Sequence, residues 1–162
     1  MSSQSKIMGN KIGVNMIQIR VLSKWGMEDE DFGNDLVISI VSPGMTHPNI
    51  KGSNVHKFQF HDVIEEYFLK NENRVIRPME KEVAESIVRI ASNNRHWDKW
   101  VIHCEAGISR SPAVAIGLAK YFRTTPDEEE LKRLFPHFNK YVEKLIRETL
   151  KTKLMGVIEK DR

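Results

Sequence analysis

The alternation of apolar and polar residues predicts strands early in the chain and helices thickening later. Residues 16–22, Met-Ile-Gln-Ile-Arg-Val-Leu, alternate and are rich in β-branched side chains, as a half-buried strand requires. Residues 23–35 are polar, contain Gly26 and Gly33, and read as a loop. Residues 36–41, Leu-Val-Ile-Ser-Ile-Val, are nearly all apolar, the pattern of a strand covered on both faces inside a sheet. Ser42-Pro43-Gly44 ends that strand with a turn signal. After a loop through Pro48 and Gly52, residues 55–60 alternate as a third strand. Asp62 then stands before a short periodic run, the position of a cap for a helix over 63–69. Residues 71–77 read as a loop.

Pro78 opens a stronger helical pattern. Val83, Ile87, Ile90 and Ala91 fall on one face, Glu85 and Arg89 are spaced to pair, and Asn93-Asn94 ends the run. Residues 99–103 form a fourth strand. The segment from Pro112 through Phe122 is apolar almost all round, so a helix there is expected to be buried. Thr125-Pro126-Asp127-Glu128 reads as a capping box with proline at the first helical position, opening a helix that runs to about Phe135. A last helix carries Phe138, Val142, Leu145, Ile146, Thr149 and Leu150 at helical spacing. Strand, helix and strand across 55–103 predict an α/β domain with a largely parallel four- to five-stranded sheet flanked by helices. With no repeat, linker or low-complexity stretch, one domain over residues 1–162 is expected, residues 1–14 being loosely attached.

Charge and cysteine usage narrow the function. A net charge of +3 does not argue for nucleic-acid binding but suits an anionic substrate. No apolar run approaches membrane-spanning length, and the polar N-terminus has no signal-peptide core, so a cytoplasmic protein without membrane partners is expected. The single cysteine excludes an internal disulfide framework and multi-cysteine metal sites. No metal or other cofactor is called for, and a working free thiol favours a reducing compartment.

That cysteine lies in His103-Cys104-Glu105-Ala106-Gly107-Ile108-Ser109-Arg110-Ser111, between the fourth strand and the buried helix. A helix start offers unpaired N–H groups and partial positive charge. Pro112 fits its first position, which needs no N–H. Gly107 lets successive N–H groups converge on one concavity. Arg110 adds a planar fork that holds two phosphate oxygens. Such a field favours a thiolate, and a thiolate beneath a bound phosphate is a nucleophile aimed at phosphorus.

Cys104 and Arg110 in C-x5-R spacing, with His103 before, Ser111 after and Pro112 next, resemble the signature of the cysteine-based protein tyrosine phosphatases, most closely their compact dual-specificity branch. The resemblance is sharp over roughly 99–123 and diffuse elsewhere. It implies a sheet with helices on both faces, phosphate bound by the loop Glu105, Ala106, Gly107, Ile108, Ser109 and Arg110, and a phosphocysteine formed on Cys104. It also implies that Ser111 eases departure of the sulfur and that His103 orders the loop, although a satisfied core histidine is nearly as good an account. Ser109 also reads simply as a turn residue.

Departure of an alkoxide or phenoxide requires a proton, which a carboxylic acid supplies. The family carries an Asp on a loop before the signature. Ligands of parallel sheets gather at the carboxyl ends of strands. Asp62 follows the third strand and shares that rim with Cys104. Asp98 precedes the fourth strand and lies about 20 Å away, at about 3.3 Å per residue. Asp35 fails the same test. Asp62 is therefore the expected acid, helix capping being its other reading, with Glu65, Glu66 and Glu72 in reserve. A Trp-Pro-Asp loop and a glutamine loop are both absent from the sequence.

The expected substrate is a phosphotyrosine protein, with phosphoserine and phosphothreonine open, acted on by a monomer. A phosphoinositide or RNA 5′-triphosphate is disfavoured because the loop carries Glu105 and no lysine. An inactive phosphate-binding module stays open, and the rim residues Met45, His47 and Lys51 carry no readable partner code.

Overall fold

The computed structural model describes residues 12–64 and 76–160. Five strands, β1 (Ile12–Ser23), β2 (Leu36–Val41), β3 (Val55–Gln59), β4 (Lys99–Cys104) and β5 (Phe122–Thr125), form one sheet in the order β3-β2-β4-β1-β5. Every pairing is parallel. Four described helices accompany it: α1 (Lys81–Asn93), α2 (Arg110–Ala119), α3 (Glu128–Leu134) and α4 (Lys140–Lys160). The expected α/β class with a parallel sheet is the class observed. No described helix is long and apolar enough to cross a membrane.

Residue alternation sorts the strands' side chains between two clusters. On one face Ile17, Ile19, Leu36, Ile38, Ile40, Trp100, Ile102 and Cys104 pack with residues of all four described helices, including Ile87, Ile116, Leu131 and Ile146. On the other, Val37 and Val101 meet Met27 and Phe32, with Ile50 against them. Among the described residues this second face is covered by the segments between strands. β2 is buried throughout, as its apolar run requires.

Several boundaries differ from expectation. Residues 12–14 belong to β1 and are not a loose extension; residues 1–11 lie outside the described residues. α1 starts at Lys81 rather than at Pro78, because Met79 is fully buried and its carbonyl accepts from Tyr141 Oη, 3.2 Å away. Its buried stripe is Ala84, Ile87, Val88 and Ala91, while Val83 and Ile90 flank it half-buried. Glu85 pairs with Lys81 at 4.0 Å. Residues 63 and 64 are not helical, and 65–69 lie outside the described residues, as do Glu65, Glu66 and Glu72.

The helix expected to reach Phe122 stops at Ala119, and the chain turns into β5, a strand too short to announce itself. Thr125 ends that strand, so the cap of α3 is Asp127, whose carboxylate accepts from Glu130 N–H at 2.9 Å. Three glutamates then occupy the positive end of the helix. Gly117 decides how α2 meets α4. A Cβ there would fall 2.7 Å from Ile146 Cγ2, so only glycine permits so close an approach.

Candidate active site

Parallel strands deliver their carboxyl ends to one rim. Register pairs Ser23 of β1 with Cys104 of β4, and Ser39 of β2 with His103. Residues 104–110 then turn from β4 into α2. Gly107 adopts φ +73° at the top of this turn, and a Cβ there would stand 2.8 Å from Ser23 N. The loop is thus pressed against the end of β1, where Lys24 N–H also donates to Glu105 O at 3.1 Å. α2 begins at Arg110 with Ser109 as N-cap, which puts Pro112 at the third helical position rather than the first. The N–H of that position is also unpaired in any helix, so proline remains harmless there.

Cys104 is 2% exposed. Its sulfur lies 3.0 Å from Ser111 Oγ and accepts the Gly107 N–H at 3.3 Å. Arg110 is 5% exposed. Its Nη1 donates to Phe60 O at 2.8 Å and Ser42 Oγ at 3.1 Å, so the ends of β3 and β2 hold the guanidinium. Nη2 stands 3.8 Å from Glu105 Oε2. Nε is buried without a hydrogen-bond partner among the described residues. An unpaired buried donor is costly, and an oxyanion is its natural acceptor.

Glu105 acts as a brace. Its Oε1 accepts the Ser42 N–H at 3.2 Å while Oε2 faces Arg110. Partial burial pushes its carboxyl upward. The Ser42 N–H, the Arg110 charge, the Ser42 hydroxyl and Lys24 outweigh that, leaving it below the ordinary carboxylate value. The acidic loop position is therefore spent on aligning the guanidinium.

Asp62 reaches the same rim. Its Oδ1 accepts from Ser109 Oγ at 2.8 Å and from Asn139 Nδ2 at 2.9 Å. Its carboxylate turns towards the loop after β4, and Ser109 is more than a turn residue. Both of these donors engage one oxygen, Oδ1. Ala106 and Ile108 complete the loop, Ile108 being 57% exposed at its edge.

Asn139 is a functional candidate that the sequence reading missed. It is 6% exposed. Its Oδ1 accepts the Val142 N–H at 3.0 Å, capping α4, and its own N–H donates to Ser109 O at 3.0 Å. One residue, through its side chain and its backbone N–H, thus ties together the candidate acid, the loop after β4 and a helix start. A cavity of about 600 Å³ opens beside it, lined by Asp62, Ile64, Ser109, His137, Phe138 and Lys140 among others.

His103 points to the opposite sheet face from Cys104 and is fully buried. Its Nδ1 lies 3.0 Å from Cys104 O and its Nε2 2.5 Å from Ser39 Oγ. Burial pushes the imidazole below its ordinary value. The bond to Cys104 O opposes this, and the charges of His47 and Arg110 reinforce it. No group of acidic, histidine or cysteine side chains suited to a metal ion occurs among the described residues. No protein-family model and no curated protein matches the chain.

Proposed function

We propose that the chain is a cysteine-dependent phosphatase of phosphotyrosine proteins, working through a phosphocysteine. The observation that carries this reading is a sulfur held by the Gly107 N–H and Ser111 Oγ in the same loop as a buried guanidinium whose Nε lacks a partner among the described residues. In the first step Cys104 Sγ attacks phosphorus, the P–O ester bond breaks, and its electron pair leaves on the phenolic oxygen. Asp62 Oδ2 gives that oxygen a proton. In the second step water attacks phosphorus, Asp62 takes the proton, and the S–P bond breaks with inorganic phosphate leaving. Ser111 donates to the departing sulfur. Arg110 and the loop N–H groups neutralise charge on the equatorial oxygens.

A free nucleophilic thiol suits a reducing compartment such as the cytoplasm. Phosphoserine and phosphothreonine proteins remain secondary substrates of this reading. Glu105 weighs against a polyphosphorylated ligand, since it leaves the loop with less positive charge. The test is hydrolysis of an aryl phosphate by the wild type and by Cys104→Ser, with acid quenching to trap a phosphorylated protein. Turnover and trapped phosphate are expected only with the cysteine present. Undiminished turnover by Cys104→Ser would remove the covalent step.

A further inference from the structure

The loop between β2 and β3 carries a second imidazole into the site from behind. His47 Nδ1 lies 2.7 Å from Ser39 Oγ, the same hydroxyl that lies 2.5 Å from His103 Nε2. His103 Nδ1 in turn lies 3.0 Å from the carbonyl of the nucleophile. Three contacts therefore run from the half-buried His47 to Cys104 across the side of the sheet away from the helices. His47 lines a cavity of about 200 Å³ with Lys24, Trp25, Glu28, Thr46 and Pro48, which gives the series its surface end. Glu28 Oε1 also accepts the Asn49 N–H at 3.4 Å, anchoring the loop that carries His47.

The protons in this series can be counted. A carbonyl oxygen only accepts, so His103 Nδ1 bears a hydrogen. The two contacts around Ser39 Oγ need two hydrogens, and the hydroxyl has one. The other comes either from His103 Nε2, which makes that ring a buried cation, or from His47 Nδ1. Burial and the charge of Arg110 oppose the cation. His47 therefore donates to Ser39, and Ser39 donates to His103. This holds for a neutral His47 protonated on Nδ1 and for its imidazolium. It fails for a neutral His47 protonated on Nε2, because two acceptors would then compete for one hydroxyl hydrogen. The charged and titratable groups facing the series are Lys57 of β3, Lys24 and Glu28 at the cavity, and Arg110 beyond His103.

We propose that His47 is a positioning residue for the nucleophile, fixing through Ser39 the His103 ring with its N–H on the Cys104 carbonyl. Its consequence for turnover rests on the phosphatase reading; the hydrogen-bond series itself does not.

Long-range imidazole 15N–1H spectra of the labelled protein at about pH 8 read the hydrogens directly. Both rings are expected to carry theirs on Nδ1; a His47 with its hydrogen on Nε2 overturns the proposal. Iodoacetamide alkylation of the lone cysteine across pH 5 to 9 reads the effect on sulfur. His47→Leu, which has no donor, is expected to react about tenfold more slowly near pH 6.5, the factor by which losing one net hydrogen bond shifts an equilibrium. His47→Asn, which keeps an N–H, is expected to stay within about twofold of wild type, the charge-free donor being preserved. A folded His47→Leu protein that alkylates like wild type at every pH also overturns the proposal. Should that variant not fold, the nitrogen spectra of the wild type decide alone. Neither readout needs turnover. A protein with the expected spectra and alkylation but no activity on aryl phosphates would retire the phosphatase reading and leave the role of His47 standing.

Discussion

Asn139 Nδ2 lies 2.9 Å from Asp62 Oδ1, across 77 positions of chain. The same oxygen takes the Ser109 hydroxyl, so the carboxylate is held between the loop after β4 and the start of α4. Asn139→Ser separates the two jobs of the residue. Serine still caps a helix but does not reach Asp62. Turnover of esters with poor leaving groups is expected to fall about tenfold in Asn139→Ser, the low end of what a positioned acid contributes. Esters with good leaving groups are expected to be barely affected, and the melting temperature nearly unchanged. Asn139→Ala should show the same kinetic loss and in addition cost about 1 kcal/mol of stability through the missing cap. Equal slowing of both ester classes by Asn139→Ser would move the acid away from Asp62.

Ser111 Oγ sits 3.0 Å from Cys104 Sγ. Under the proposed function, Ser111→Ala removes a donor needed when the S–P bond breaks. Release of phosphate from the enzyme is expected to slow about a hundredfold, in the range of losing one charge-stabilising donor. Phenol release should then show a rapid burst followed by a slow steady state in stopped-flow traces. A uniform loss without a burst would place Ser111 in the first step.

Gly107→Ala asks the loop to accept a left-handed conformation with a methyl group 2.8 Å from Ser23 N. Such strain costs about 1–3 kcal/mol, and the clash with backbone adds to it. The variant should unfold at lower urea concentration and lose turnover. Wild-type stability and activity would mean that the loop does not need this turn.

Acid is expected to weaken the fold in two stages. Burial holds His47, His56 and His103 below their ordinary value of 6.5, Lys57 adding to the effect at His47. The unfolded chain takes up protons near 6.5 that the folded chain refuses. Stability is therefore full above that pH and declines as pH falls below it. Glu105 lies below its ordinary 4.5, so its contribution is present above 4.5 and is lost as pH falls further. Urea midpoints measured from pH 7 to 3 should fall throughout, and His47→Asn should flatten the first stage. A midpoint constant between pH 7 and 5 would contradict the histidine assignment.

What the sequence made legible follows from where its information is local. The apolar run of β2, the alternation of β1 and β3 and the uniformly apolar α2 each reflect a single element meeting one environment. Cys104, Gly107, Arg110 and Ser111 are close in sequence, so their spacing already implies their geometry. Asn139 is different. An Asn before an apolar periodic run signals a helix cap, but its contact with Asp62 exists only after folding. The brace made by Glu105 depends likewise on Ser42, just past the end of β2. β5 escaped notice because four residues give alternation no room, and Thr125 was legible as a cap when Asp127 held the better position. His47 stood on a rim loop with nothing local to connect it to Ser39.

Arg110 opens α2 and is gripped by Phe60 and Ser42, just past the ends of two strands. It works like a keystone, so load placed on it spreads into β2, β3 and the buried helix together. An anion seated against its Nε, which has no partner among the described residues, would brace the architecture as a whole, not one loop. Under the proposed function, the global melting point should climb with the logarithm of inorganic phosphate concentration once the site is filled, making heat tolerance itself a gauge of occupancy.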